Sequence, residues 1–102
     1  MTTSTMLIDH VEEDSPSVLH KLERIKDQEI FRTDHLVQFN SLTKRELEVI
    51  TLIVIGYKNP QIAHLLCISR NTVEQHRKNI NRKLKIKSIS VLFQYALAFD
   101  LV

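Results

Sequence analysis

The sequence predicts an all-α protein. Its 102 residues are 43% hydrophobic but include only one glycine and two prolines, too few turn residues for a β-sandwich or barrel. Apolar residues recur at helical spacing, and helix-capping residues interrupt them at short intervals. We therefore predict one four-helix domain over residues 41–102, preceded by an N-terminal extension over residues 1–40.

The composition also excludes several classes of protein. No apolar stretch reaches the roughly 18 residues needed to cross a bilayer, and the N-terminus has no basic start followed by an apolar core of signal-peptide length. A single cysteine, Cys67, cannot form an internal disulfide, and no Cys/His cluster has zinc spacing. We expect a cytoplasmic protein that uses no membrane, metal or cofactor.

The charges are divided unevenly along the chain. Residues 1–40 carry four basic and eight acidic side chains, whereas residues 41–102 carry ten basic and four acidic ones. This asymmetry suggests that the second part meets a polyanion. On charge alone, an unevenly charged surface that only meets solvent explains it equally well.

The N-terminal extension has two predicted parts. Residues 1–14 are polar, acidic and without sustained period, which predicts disorder. Its side chains Asp9, His10, Glu12 and Glu13 could hold a metal, but a frayed acidic tail is favoured because no rigid scaffold positions them. A helix is predicted near residues 15–31, with Ser15 as its N-cap and Pro16 at its first position.

This predicted helix has a narrow apolar stripe, too small for a core of its own, formed by Val18, Leu19, Leu22 and Ile25. It should therefore dock on the second part of the chain or pair with a copy of itself. Residues 33–41 are interpreted as a connector.

Capping signals divide the second part into helices at about 43–55, 60–66, 70–84 and 88–99. Thr43 and Glu46 have capping-box spacing, and Gly56 stands where a left-handed C-cap is needed. Asn59 is the predicted N-cap of the second of these helices, and Ser69 that of the third. Two helices joined by about three residues form a helix-turn-helix unit. The predicted core contains Leu47, Ile50, Ile62, Leu66, Val73, Ile80, Leu84 and Leu92.

The third of these helices combines a buried stripe with a polar face. At about 100° per residue, Val73, Ile80 and Leu84 fall on one side, and the opposite side carries Asn71, Gln75, Lys78 and Arg82. Amide and basic side chains recognise base edges, and a helix of this width fits the major groove. The face therefore predicts double-stranded DNA as the partner, with a merely solvated surface as the alternative for any single residue.

The last predicted helix is unusually apolar. Leu92 and Ala96 can close the core, which leaves Val91, Tyr95 and Ala98 with nothing to cover them in a lone monomer. We predict that these three residues form the contact of a homodimer. The alternative is that residues 18–39 fold back over them.

The stretch from Leu42 to about Val102 resembles the LuxR/GerE-type helix-turn-helix of bacterial transcription regulators. The residues in register are Leu42-Thr43-x-Arg45-Glu46-x-Glu48-Val49, Gly56-x-x-Asn59, Ile62-Ala63, Leu66, Ile68-Ser69, Thr72-Val73, His76 and Lys83-Leu84. The resemblance implies a dimer on two half-sites, with the third helix in the major groove and the fourth at the dimer contact.

The resemblance and the helical wheel together give a set of site residues. Base reading is assigned to Asn71, Glu74, Gln75 and Lys78. Phosphate contacts are assigned to Lys44, Asn59, Ser69, Arg70, Thr72, His76, Arg82 and Lys83. RNA polymerase or another regulator is a candidate further partner of such a protein.

The chain departs from the family pattern at four positions. Glu74 stands where a basic residue is common, which suggests a different half-site preference. Lys85 replaces a usual glycine, so that turn should form without a left-handed residue. Ile89 replaces a common arginine, and Asp100 a late glycine, which leaves the dimer geometry open.

The sequence leaves functions other than DNA recognition open. A protein-interaction module whose basic helix docks on an acidic partner is the main alternative, and a sigma-factor region fits the motif less well. An enzyme is not expected, because no nucleophile has an evident base and no loop could cradle phosphate. The sensory domain common in such regulators needs about 100 residues, so we expect a stand-alone regulator or the C-terminal piece of a longer one.

Overall fold

A computed structural model describes residues 16–102, and within them it has five helices and no strand. In chain order they are α1 (Pro16–Asn40), α2 (Lys44–Ile55), α3 (Asn59–Leu66), α4 (Arg70–Leu84) and α5 (Ile89–Ala98). The all-α prediction is confirmed. The predictions for residues 1–14 and for the Ser15 cap lie outside the described residues, and the domain division at residue 40 stays a prediction.

The start and end of α2 follow the local signals. Thr43 Oγ1 accepts a hydrogen bond from the Glu46 backbone N–H at 3.1 Å, and the Thr43 backbone N–H donates to Glu46 Oε1 at 2.8 Å. This reciprocal pair is the predicted capping box. At the other end Gly56 has a φ of 121°, and its N–H donates to the Leu52 and Ile53 carbonyls.

One core joins α2 to α5. Its most buried side chains are Val49, Ile50, Ile62, Val73, Ile80 and Tyr95. Six of the eight predicted core residues are buried, and Leu66 packs against the core while partly exposed. The prediction for Leu47 is wrong. The inward face of α2 is centred on Glu46, Val49 and Ile53, so Leu47 lies at the edge of that face and is only half-buried.

The predicted cap of α3 is also wrong. The N-cap position is Lys58, whose backbone N–H donates to Gln61 Oε1 at 2.8 Å. Asn59 instead lies inside the helix, and its Oδ1 accepts a hydrogen bond from Arg77 of α4 at 3.1 Å. This bond joins the two helices of the helix-turn-helix.

Two helices end on residues with left-handed backbones that are not glycine. Cys67 after α3 has a φ of 57°, and Lys85 after α4 has a φ of 54°. The prediction that the turn at Lys85 forms without a left-handed residue is therefore wrong. The Ile86 N–H donates to the Asn81 carbonyl, so closure of the helix end offsets the strain of that conformation.

Helix α1 is longer than predicted and uses a different face. Residues 33–40, interpreted as a connector, continue the helix. Side chains spaced four residues apart share one side of a helix. On α1 this side carries Phe31, His35 and Phe39, and it faces the rest of the protein. The predicted stripe is largely exposed: Leu22 and Ile25 keep 58% and 62% of their surface.

The aromatic side of α1 covers α5. The Phe31 ring lies 4.9 Å from that of Tyr95, edge to face, and the Phe39 ring stacks on Phe99 at 3.9 Å between centroids. His35 stacks on Phe31 at 3.9 Å, and its Nδ1–H donates to the Phe31 carbonyl. The alternative that residues 18–39 fold back over the last helix is thus the observed arrangement.

This cover corrects the interpretation of α5. Tyr95 and Ala98 are buried and Val91 is half-buried within one chain, so the expectation that nothing in a monomer covers them is wrong. Burial raises the pKa of the Tyr95 hydroxyl. While α1 packs in this way, these residues are not available to a second chain, and a dimer contact through them would require α1 to move.

Candidate nucleic-acid interface

The helix-turn-helix consists of α3, the turn Cys67–Ser69 and α4. The Ile68 N–H donates to the Ala63 carbonyl at 3.0 Å, which closes the end of α3. Ser69 Oγ then accepts a hydrogen bond from the Thr72 N–H at 3.1 Å and caps α4 as predicted. The turn therefore has a defined shape, and α4 projects from it as a rod of about 22 Å.

Helix α4 is amphipathic in the predicted sense. Val73, Ile80 and Leu84 are buried, whereas all four predicted base-reading residues are exposed, namely Asn71, Glu74, Gln75 and Lys78. Glu74 is the only acidic residue of the helix. The exposed face can thus offer amide, ammonium and carboxylate groups to a partner.

A hydrogen-bonded network organises part of this face. Asn79 Oδ1 accepts hydrogen bonds from Gln75 Nε2 and from Arg82 Nη2, each at 3.2 Å. Asn79 thereby joins a predicted base-reading residue to a predicted phosphate contact. Asn79 is not among the predicted site residues, although its spacing of four residues from Gln75 and three from Arg82 was an available signal.

Five of the eight predicted phosphate contacts lie at helix N-termini, whereas His76 is in the middle of α4 and Arg82 and Lys83 are in its last turn. Ser69, Arg70 and Thr72 lie exposed at the start of α4, where backbone N–H groups and the helix dipole favour anions. Lys44 is exposed at the start of α2. Asn59 and His76 are half-buried, and the Asn59 side chain is already bonded to Arg77.

The Lys83 side chain already bonds to two other residues of this chain. Its Nζ lies 2.8 Å from Glu46 Oε1, and it also donates to the Ser41 carbonyl at 3.2 Å. Glu46 is only 3% exposed, so this ion pair joins the end of α4 to the capping box of α2. A contact between Lys83 and a phosphate stays a prediction, and it would have to compete with this carboxylate.

The same contact determines the ionisation of Glu46. Burial by itself would raise the pKa of this carboxyl, but the hydrogen bonds from Lys83 and Thr43 and the Lys83 charge outweigh it and lower the pKa below its ordinary value. A lowered pKa contributes stability above the pKa of the unfolded chain, about 4.3. That contribution is lost as the pH falls through the lower pKa of the folded state.

Replacing Lys83 with methionine should therefore destabilise the protein mainly at neutral pH. The change leaves a buried carboxylate without its cation, and we expect a loss of about 1–2 kcal/mol, since Lys83 is partly solvated. Urea unfolding at pH 7 and near pH 3 measures the effect. Lys87→Met, at an exposed lysine, is the matched control. An equal loss at both pH values would contradict the proposed pairing.

None of the helices within residues 16–102 is long and apolar enough to cross a membrane. In that same part of the chain, no group of three or more His, Cys, Asp or Glu side chains is arranged to hold a metal ion.

Comparison with known proteins agrees with this geometry. Residues 40–96 match the family GerE, described as bacterial regulatory proteins, luxR family. The oxygen regulatory protein NreC of Staphylococcus carnosus (strain TM300) is 49% identical over 59 residues, which is 58% of this chain and 27% of that protein. NreC of Staphylococcus aureus (strain JH9) has the same identity and coverage. The chain thus matches about a quarter of the length of these relatives.

The match spans α2 to α4 and most of α5, and it therefore includes both helices of the helix-turn-helix. More than half of the chain is covered. The chain belongs to the LuxR family of bacterial regulatory proteins, and the matched residues contain its helix-turn-helix.

Proposed function

We propose that this protein recognises specific sequences in double-stranded DNA by placing α4 in the major groove. The observation that supports this best is the exposed face of α4, which carries Asn71, Glu74, Gln75 and Lys78 opposite its buried stripe. An α-helix with its side chains is about as wide as the major groove, where base pairs present distinct donors and acceptors.

Each proposed base contact follows from the chemistry of its side chain. The amides of Asn71 and Gln75 suit the N6 and N7 atoms of adenine, and the Lys78 ammonium suits O6 and N7 of guanine. The Glu74 carboxylate can accept a hydrogen bond from the cytosine amino group. Asn79 positions the Gln75 amide through the bond that joins them, which limits the rotamers that Gln75 must lose on binding.

The phosphate contacts fix the orientation of α4 on the duplex. Arg70 and the hydroxyl groups of Ser69 and Thr72 lie at the N-terminus of the helix, and Lys44 lies at the N-terminus of α2. Arg82 can reach the phosphate backbone of the DNA from the C-terminal end of the exposed face of α4. Asn59, His76 and Lys83 remain proposed contacts, although two of them already bond within the chain.

We further propose that the protein binds two half-sites as a homodimer. Reading by one short helix covers only a few base pairs, and a two-fold dimer doubles the sequence that is read. RNA polymerase or another regulator is the proposed further partner of the DNA-bound protein. The alternative of an acidic protein partner for α4 makes a different prediction, because it would give no enrichment of particular duplexes.

Selection of bound duplexes from a random pool tests the proposal and supplies the cognate half-site. On that site Gln75→Ala should lower affinity by about 5- to 150-fold, because one good base contact discriminates by about 1–3 kcal/mol. On a scrambled duplex the same change should have little effect. Binding measured across a salt series separates this loss from a loss of charge.

Arg70→Ala is the matched control for phosphate binding. It should weaken cognate and scrambled duplexes alike, and reduce the slope of log affinity against log salt by about one. If Gln75→Ala behaves in the same way as Arg70→Ala, Gln75 does not read bases and the proposed orientation of α4 is wrong. If the pool shows no enrichment, sequence-specific binding itself is wrong.

A further inference from the structure

Helix α1 has more apolar surface than the domain covers. Its 25 residues include the aromatic positions that pack on α5, and the molecule measures 61 by 27 by 20 Å. Six large aliphatic side chains of this one helix are about half exposed or more: Leu19, Leu22, Ile25, Ile30, Leu36 and Val37. So much exposed apolar surface on one helix indicates a partner.

The partner must also match the charges of α1. Residues 21–26 contain three basic side chains and one acidic, whereas residues 27–34 contain three acidic and one basic. All of these charged side chains are exposed. The helix is therefore positive in the first of these stretches and negative in the second, which makes it complementary to a reversed copy of itself.

We propose that two copies of the chain associate through α1, with the two helices antiparallel about a two-fold axis near Asp27 and Gln28. A contact of this kind uses the same surface on both copies, and it closes as a dimer. A parallel arrangement would instead place like charges side by side. The two-fold axis is thus selected by the charge pattern of the helix.

The residues that lie at the same level of such a pair agree with the proposal. Lys26 lies level with the partner's Glu29, on the facing sides of the two helices. Lys21 is level with the partner's Asp34, but each lies about 110° from the facing side, so this pair contributes only to the charge of each stretch. The exposed aliphatic residues follow the same symmetry, since Leu19 is level with the partner's Leu36 and Ile25 with the partner's Ile30. Each of these four pairs is equidistant from the centre between residues 27 and 28.

The domain leaves this side of α1 accessible. At 100° per residue, Leu22, Lys26 and Glu29 fall roughly opposite Phe31 and His35, which pack on α5. The antiparallel pair therefore does not compete with the cover over Tyr95. The inference deepens the proposed homodimer, and none of the proposed DNA-contacting residues lies on α1.

Sedimentation equilibrium of the whole chain without DNA tests the contact. Lys21→Glu with Lys26→Glu makes residues 21–26 negative. In the dimer these residues lie beside residues 27–34 of the partner, which are also negative. Each exposed ion pair is weak, but the two-fold symmetry repeats every change, so the Lys26–Glu29 attraction becomes a repulsion twice and both positive stretches become negative. We expect the dimer to dissociate at least about tenfold more readily. Adding Glu29→Lys and Asp34→Lys should restore dimerisation to near the original value.

Two controls make this result specific. Lys85→Glu with Lys87→Glu changes the net charge equally outside α1 and should leave the dimer unaffected. Circular dichroism checks that each variant keeps its helix content. A chain that stays monomeric at all concentrations tested, or a double variant of α1 no weaker than this control, would overturn the proposal. Phe93 is an exposed aromatic residue of α5. If Phe93→Glu alone dissociates the dimer, the contact lies on α5 instead.

Binding to a duplex with a single half-site distinguishes this inference from the proposed function. The fourfold variant has the net charge of the original chain, and it should bind one half-site with unchanged affinity. If the original chain binds no half-site while the charge reversals behave as expected, DNA recognition is wrong and the α1 contact stands. If DNA is bound but α1 variants leave self-association unchanged, only the α1 contact is wrong.

Discussion

Replacing Val73 with aspartate is expected to unfold the domain. The Val73 side chain is fully buried on the inward face of α4, in the one core that joins α2 to α5. A carboxylate there would be desolvated without a cation, and the packing of the valine would be lost. The expected cost of about 5 kcal/mol or more equals the whole stability of many small domains.

Far-UV circular dichroism and amide hydrogen exchange measure this outcome. Thr72→Asp is the matched control, because Thr72 is adjacent in sequence but exposed, and an acidic group in the first turn of a helix is tolerated. The control should remain folded and helical. A Val73→Asp protein with protected amides in α4 would show that the core is assigned wrongly and that the face of α4 proposed to read DNA is rotated.

Replacing Tyr95 with alanine should cost about 3–5 kcal/mol and release α1 from the domain. Tyr95 is 1% exposed, and its ring contacts Phe31 and His35 of α1 as well as Phe99. Truncating a buried aromatic residue leaves a cavity that its neighbours fill only in part. The amides of α1 should then exchange faster than those of α2, because α1 packs chiefly on α5.

Tyr95→Phe separates the ring from its hydroxyl. Within the described residues, the buried Tyr95 hydroxyl has no hydrogen-bond partner, so its removal should leave stability unchanged or raise it by about 1 kcal/mol. Urea unfolding of the two variants gives the comparison. A loss below 1 kcal/mol for Tyr95→Ala, with α1 protection unchanged, would mean that Tyr95 lies at an open surface.

Local signals predicted the helix-turn-helix well because each depends on atoms only a few residues apart. The Thr43–Glu46 capping box, the positive φ of Gly56 and the Ser69 cap all involve neighbours within four residues. The exposed face of α4 follows from helical periodicity together with the buried valine that orients it. These features could be predicted without knowing how the helices pack against one another.

Contacts between distant residues account for what the local signals missed. Asparagine is a residue type favoured at N-caps, but the Asn59 side chain bonds to Arg77, 18 positions away. Lys83 was predicted to contact a phosphate, and the structure adds an ion pair with Glu46, 37 positions away. In both cases the competing partner is brought near only by packing, and sequence spacing carries no sign of it.

The sequence by itself determined the all-α class, the helix-turn-helix and the side of α4 that stays polar, because capping and periodicity are properties of single helices. Only the tertiary structure decided which surface of α1 is buried. Two apolar stripes compete on that helix, and the aromatic one prevails because Phe31, His35 and Phe39 find Tyr95 and Phe99 on α5. That packing buries the residues predicted to join two chains, and it leaves the aliphatic side of α1 exposed in their place.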